Sequence, residues 1–432
     1  MESVFRNIQR TRPNTITFQL QPTSVAYANT LRRLCMSYVE TVAFRADMND
    51  KGDTTDVQIL ANSTPMTNEM LAHRIGLIPI HVEDPLAWTE EVAENFTFAL
   101  DKENQTDEVM DVVASDFRVI ERRGEEMIPI PSTRFFKPHD ETNDTVLLAV
   151  LKPLMPGGKA EEVRIKAKAT VGIGRDNARF IPTAQCAYSY TRDSDPVHQK
   201  AVFDDWVVRN KKAKDLQSLD TDAPLKEKLV REFNTLEINR CYLKDEGGEP
   251  YSFDFTIESA GVLKPEYIVR RACEKGAELC GRYADAALTP DVTVQRVEGR
   301  LIGYDFFFLK QDHTLGHLIQ AWLDTNMVGN GEITFAGYDI PHPLRDEMVI
   351  RIGVTGSDEA ATAAAARRAL TAAMIACQGM FQAWRDQWAS LVAPAGVVGV
   401  GGPGGGGAAA GSQAPKKVVR RAVLRPSAPG AM

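Results

Sequence analysis

An α+β fold with an internal architectural repeat is predicted from three observations. The order strand, amphipathic helix, strand, long helix occurs twice along the chain. A β-rich stretch, 47–192, interrupts the first occurrence and has no counterpart in the second. Each long helix carries an apolar seam that a lone module would leave bare, so two modules that cover one another are the economical solution.

The elements follow in order. Residues 15–21 (TITFQLQ) alternate, with Ile16, Phe18 and Leu20 on one face, as a half-buried strand requires. Pro22, Thr23 and Ser24 then break the run and offer a hydroxyl as helix N-cap. Val25, Ala28, Leu31, Cys35, Tyr38 and Val42 recur at helical spacing, with Asn29, Arg32, Arg33 and Glu40 turned away. The stretch 47–192 is rich in short β-like runs. In one of them Val163, Ile165, Ala167, Ala169 and Val171 alternate with Arg164, Lys166 and Lys168, a basic row read as a solvated strand face rather than a binding stripe. Within it, 67–80 predicts a short helix stopped by Gly76, with His73 and Arg74 at the negative end of its dipole. A polar linker is predicted over 210–224 and helical spacing over 225–234. Residues 251–257 (YSFDFTI) alternate as a strand, and Pro265 opens a long helix with Val269, Cys273, Gly276, Cys280, Tyr283 and Ala287 on its seam.

The pattern then restarts. Residues 304–308 read as a strand, Asp312 can cap a helix, and Leu315, Leu318, Ile319 and Trp322 fall at helical spacing. Residues 348–354 (MVIRIGV) form another strand. Asp358 and Glu359 lead a second long helix whose seam is Leu370, Met374, Cys377, Phe381, Trp384 and Trp388. The expected domains are a discontinuous module of 1–46 and 193–290, the β-rich insert 47–192, a compact module 291–392, and a disordered Gly/Ala-rich basic tail 393–432. Leu31, Cys35, Tyr38, Leu315, Gly316, Ile319, Trp322, Phe381 and Trp384 are assigned to the interface between modules. Gly316 is included because a mid-helix glycine costs about 1 kcal/mol relative to alanine and is usually kept for close backbone approach.

Composition narrows the function classes. The 432 residues are 44% hydrophobic and 25% charged, the balance of a globular chain with real cores. The net charge of −8 splits into +5 on the acid-free tail and −13 on the rest, which argues against a surface built to sheathe nucleic acid. Cys35, Cys186, Cys241, Cys273, Cys280 and Cys377 are scattered without a CxxC pair, so neither a zinc knuckle nor a dithiol redox motif is expected. The opening residues lack the apolar run of a signal peptide, and 391–415 is too rich in glycine and proline for a membrane helix; a reducing intracellular setting is expected. His313 and His317 stand at metal-ligand spacing, but HTLGH lacks the glutamate of HExxH and a third ligand, so a capping or packing role is expected. Gly172-Ile173-Gly174 follows a strand without completing GxGxxG and without a Walker lysine.

Five segments carry a resemblance to a known family. Residues 28–42 (ANTLRRLCMSYVETV), 68–80 (NEMLAHRIGLIPI) and 252–272 (SFDFTIESAGVLKPEYIVRRA) resemble the RNA polymerase α-like subunits: the bacterial alpha, the archaeal D and the third subunit of eukaryotic polymerase II. Residues 312–318 (DHTLGHL), with 335–343 (FAGYDIPHP) and 348–352, are similar to the smaller partner, the archaeal L or eukaryotic eleventh subunit. The resemblance covers about 13–390 and implies two dimerisation modules in one chain, partners that are separate chains in archaea and eukaryotes and joined in large DNA viruses of eukaryotes. It implies a non-catalytic assembly platform for a DNA-dependent RNA polymerase, meeting the two largest subunits through Asn29, Arg32, Arg33, His73 and Arg74, with small zinc-bearing subunits joining them and DNA and RNA reached only through the complex. No cofactor is expected, and no metal: some relatives hold one on a cysteine cluster in the insert, and this chain has no cysteine between Cys35 and Cys186. Assembly is expected in host cytoplasm, viral factory or virion for a viral chain, or in a nucleus. The rival reading is a free nucleic-acid-binding protein that uses the basic tail.

Overall fold

The computed structural model describes residues 3–47, 56–139, 141–211, 223–284 and 291–392. The expected tail 393–432 and the seam residue Ala287 lie outside them. The chain opens on β1 (Phe5–Arg12) and β2 (Thr15–Leu20), an antiparallel pair. β2 buries Ile16, Phe18 and Leu20 as its alternation requires. Helix α1 (Val25–Ser37) follows and buries Ala28, Leu31, Leu34 and Cys35. The helical spacing extended to Val42, but the chain turns after Ser37 into strand β3 (Glu40–Phe44), buried at every residue. The β-branched residues Val39, Thr41 and Val42 favour that outcome, because they crowd a helix and suit a strand covered on both faces.

The insert comprises β4 (Val57–Asn62), α2 (Asn68–Gly76), α3 (Glu90–Glu94), β5 (Phe96–Asn104), β6 (Met110–Val113), β7 (Arg118–Arg123), β8 (Glu126–Ile130), β9 (Leu147–Leu151), β10 (Glu161–Ala167) and β11 (Ala169–Ile173). Five strands form one antiparallel sheet in the order β4-β10-β5-β7-β8, while β6 pairs with β9 and β11 with β3. Its core is aromatic, a chain of ring contacts linking Trp88, Phe135, Phe98, Phe44, Phe117 and Phe136.

The predicted insert boundary at 192 needs correction. Strand β12 (Thr183–Tyr190) leaves the insert and pairs with β13 (Phe253–Ser259), Cys186 standing opposite Ile257. In the other direction Val42, Phe44 and Ala46 pack into the insert's core. Between β12 and β13 lie α4 (Pro196–Lys211) and α5 (Ala223–Leu236), which share a small cluster of Trp206, Val207, Leu229, Phe233, Ile238 and Cys241. Most of the predicted 210–224 linker lies outside the described residues. Helix α6 (Pro265–Arg282) begins on its proline and completes the first unit over the sheet β1-β2-β13-β12.

The second unit repeats this plan with β14 (Val292–Arg296), β15 (Gly303–Leu309), α7 (His313–Leu323), β16 (Phe335–Asp339), β17 (Glu347–Gly353) and the 34-residue α8 (Glu359–Val392). Its antiparallel sheet runs β14-β15-β17-β16. Asp312 caps α7 as predicted, its carboxylate accepting the Thr314 N–H at 2.7 Å. One continuous core draws on both units, from Phe18, Leu31 and Cys273 to Phe306, Ile319 and Trp388.

Candidate module interface and partner surface

The seam between the units has an apolar spine and a polar end. Along the spine α6 and α8 lie side by side. Gly276 makes this possible: a Cβ there would sit 2.7 Å from Phe381 Cγ, so only hydrogen fits. Phe381 is fully buried and Trp384 nearly so. Phe5 packs edge-on against Trp384 at 6.1 Å and Trp388 at 4.9 Å, and Phe18 meets Trp388 at 5.1 Å, so the first sheet closes onto the second unit's long helix through aromatic rings. Trp388 Nε1 donates to the Glu266 carbonyl at 3.0 Å, which satisfies the one polar atom of a ring otherwise sealed from water. Cys280 and Cys377 belong to the same spine; burial pushes the Cys377 thiol up to about 12 and the Cys280 thiol upward too, so both behave as small apolar groups.

The polar end lies where α1 meets α7. Leu31, Cys35, Leu315 and Ile319 are fully buried in the shared core, and Trp322 is half-buried against it. Tyr38 donates its hydroxyl to Asp312 at 3.2 Å, and burial beside that carboxylate pushes its own pKa up to about 12. Arg33 Nε donates to Thr314 Oγ1 at 2.8 Å, and Arg33 Nη2 stands 3.4 Å from Asp312. Arg175, in the turn after β11, stands 3.8 Å from Asp312 and 3.4 Å from Asp346. Burial alone would raise the Asp312 pKa; the Thr314 hydroxyl and N–H, with Arg175 and Arg33, outweigh it and hold the carboxyl below its usual range.

Two sequence assignments change here. Arg33 was expected on the partner face with Arg32; its long side chain instead reaches across the seam to the cap of α7. Gly316 was expected to bring the modules together; a Cβ there would run into the ring of Tyr338 on β16, so the glycine serves packing inside the second unit. The same ring explains the histidine pair. His313 and His317 flank Tyr338 with ring centroids 5.8 and 6.0 Å away, and among the described residues no group of three His, Cys, Asp or Glu side chains is placed to hold a metal. The glycines at the end of β11 are packing residues as well: a Cβ on Gly172 would run into the Phe180 ring, and one on Gly174 into the Met36 carbonyl. In the basic row, Arg164 of β10 stands beside Glu162 and Asp101, and Lys168, between β10 and β11, beside Glu94, so the charges are mixed.

Comparison with known proteins bears on both units. The sequence matches the RNA polymerase Rpb3/Rpb11 dimerisation domain over 17–280, more than half of the chain, and again over 304–387. The chain belongs to the RNA polymerase Rpb3/Rpb11 dimerisation domain family. It is similar to DNA-directed RNA polymerase subunit Rpo3 of Methanobrevibacter smithii, 25% identical over 62% of this chain and 92% of that protein. Similarity of 25% also extends to subunit 3 of RNA polymerases II, IV and V of Arabidopsis thaliana, covering 64% of this chain and 88% of the relative. RNA polymerase II subunit RPB3 of Schizosaccharomyces pombe is 25% identical over 61% and 80%.

The remaining residues expected on a partner face occupy two places. On α1, Arg32 is half-exposed, its Nε donating to Asn29 Oδ1 at 3.0 Å and its Nη1 lying 3.1 Å from the Met36 sulfur. On α2, His73 and Arg74 are exposed, with Arg74 Nη2 donating to the Leu147 carbonyl at 2.7 Å. Sequence reasoning missed Arg175, which no local pattern marks, and the buried ion pair between Arg271 of α6 and Glu40 of β3, joined at 2.9 and 3.1 Å. Helical spacing turns Glu40 to solvent; as the first residue of β3 it is buried instead.

Proposed function

We propose that this chain is the non-catalytic assembly platform of a multisubunit DNA-dependent RNA polymerase. Its two dimerisation modules pair within the one chain, doing the work that two separate subunits share in archaea and eukaryotes. The single observation that carries the reading is the tandem family match, 17–280 and 304–387, on units that contribute to one continuous core. The paired modules offer a surface on which the two largest subunits gather, with Asn29, Arg32, His73 and Arg74 as contacts, and small zinc-bearing subunits join them. DNA and RNA are reached only through the complex, and the chain needs no cofactor of its own. Assembly is intracellular, in host cytoplasm, viral factory or virion if the joined chain is viral, with the nucleus as a further site.

The test has two arms. Light scattering of the isolated chain should give the monomer mass, because a short tether between modules holds them at an effective concentration near millimolar. Tagged purification from the native source should bring down the two largest polymerase subunits. A stable homodimer at micromolar concentration would refute pairing within the chain, and a purification free of large subunits would refute the platform. Salt-sensitive, low-micromolar DNA binding by the isolated chain would favour the nucleic-acid-binding alternative.

A further inference from the structure

The apolar spine of the seam selects its partner by shape alone, chiefly where Phe381 of α8 seats over Gly276 of α6. Burial of leucine and cysteine is otherwise non-directional and carries no charge preference. The polar end is different. The ion pairs that cross it among the described residues run from cations of the first unit, Arg33 and Arg175, to anions of the second, Asp312 and Asp346. Asp312 is the centre, 3.4 Å from Arg33, 3.8 Å from Arg175 and 3.2 Å from the Tyr38 hydroxyl. The side chains of Arg33, Arg175 and Asp312 are 33%, 25% and 23% exposed, dry enough for a mismatched charge to count, while Asp346 lies further out at 67%.

Two of the four sit on backbone anchored within their own unit. Asp312 is committed to capping α7 through the Thr314 N–H. Arg175 is held because its own N–H donates to the Ser37 carbonyl at 2.9 Å while Gly174 presses on the end of α1. Preset charges of opposite sign select a partner by repelling the wrong one as well as attracting the right one.

We propose that Arg33 and Arg175 on one side and Asp312 and Asp346 on the other determine pairing specificity, making a second-type module the partner of a first-type module and rejecting like pairs. The inference rests on the pairing reading above and goes beyond it by naming the residues that choose the partner. Two first-type modules would leave Arg33 and Arg175 without Asp312 and Asp346, and two second-type modules would leave Asp312 without Arg33 and Arg175.

The test uses full-length chains. One carries Asp312→Lys, a second carries Arg33→Glu with Arg175→Glu, and a third carries all three changes. Each of the first two should lose the wild-type monomer and melt several degrees early. Refolded together they should form a heterodimer of twice the chain mass, because exchange gives every module a complementary partner. The triple variant should recover the monomer and melt above either single-sided variant, short of wild type by the lost cap of α7. Overturning results are a mixture that behaves like its separate components, a triple variant whose loss equals the sum of the other two, or single-sided variants indistinguishable from wild type. A wild-type chain that is itself not monomeric would instead refute the underlying pairing reading.

Discussion

Gly276→Ala and Gly379→Ala make the same chemical change on the two long helices and should move stability in opposite directions. At Gly276 the new methyl would sit 2.7–2.9 Å from three atoms of the Phe381 ring. Normal carbon contacts begin near 3.5 Å, so about 1 Å of relief is required. Phe381 is fully buried and its ring is already 5.5 Å from that of Trp384, so relief means moving α6 against α8. Overpacking of this kind costs about 1–3 kcal/mol, against a helix-propensity return of about 1 kcal/mol. The net is a loss of roughly 0–2 kcal/mol for alanine, and about 3 kcal/mol or more for Gly276→Val, which adds two methyl groups and a β-branch. At Gly379 nothing stands within 4 Å of the new methyl, so the propensity term acts alone and stabilises by about 1 kcal/mol. In a chain of this size a kilocalorie moves the thermal midpoint by no more than about 2–4 °C, within reach of replicate melting curves. A Gly276→Val chain that melts with wild type would refute the close approach of the two helices as the reason for this glycine. A Gly379→Ala chain that melts early would show that the outer face of α8 is covered in solution.

Leu31→Asp should unfold the chain or separate its modules: the lost burial is worth roughly 1.5–3 kcal/mol and an unpaired buried carboxylate costs several more, which soluble yield and melting will show. Arg32→Ala should leave the melting temperature within error, since its side-chain partners, Asn29 and Met36, are local, yet weaken pull-down of the large subunits; unimpaired assembly would remove Arg32 from the partner surface. Stability should fall in acid through Glu40 and Asp312. Burial would raise the Glu40 pKa, but Arg271 and Lys275 outweigh it, so both carboxyls titrate below their unfolded values. Their contribution is present above the ordinary carboxylate range and is lost as pH falls through the lowered folded-state values, so Glu40→Gln should flatten the acid limb of a melting-temperature profile measured from pH 6 downward.

Periodicity made the spine of the seam legible. Ile16, Phe18 and Leu20 in β2, and Cys377, Phe381, Trp384 and Trp388 in α8, sit where local spacing puts them because each element has one wet and one dry face. β1 escaped the same reasoning: as an edge strand it buries only Phe5 fully, and Arg6, Gln9 and Arg10 leave no alternation to read. β12 escaped because its membership of the first sheet is decided by β13, far along the chain, and not by its own sequence. In α4 the residues Val197, Phe203, Trp206, Val207 and Val208 are spread around the helix instead of along one stripe, so helical spacing gave no signal.

The adjacent arginines of α1 show where reading by wheel position stops. Arg32 and Arg33 both lie off the Leu31 and Cys35 stripe, and charge on a helix surface defaults to solvent. Geometry divides them because α1 is flanked on more than one side, by α6, α7 and β12, and an arginine stem spans the gap to a neighbour. What captures Arg33 is the exposed lobe of a helix cap: Asp312 spends one oxygen on the Thr314 N–H and presents the other to the cation. The capping signal was legible at Asp312 itself, and a cap has a second oxygen to satisfy when its helix end is packed against another element. The assignment that failed at Arg33 could therefore have been made from the other side of the seam. A half-buried capping carboxylate asks for a cation, and among the described residues Arg33 and Arg175 answer it. Alanine at Arg33 should then cost more stability than alanine at Arg32. Equal losses would mean that the carboxylate is satisfied by its own helix, Tyr38 and Arg175 without Arg33.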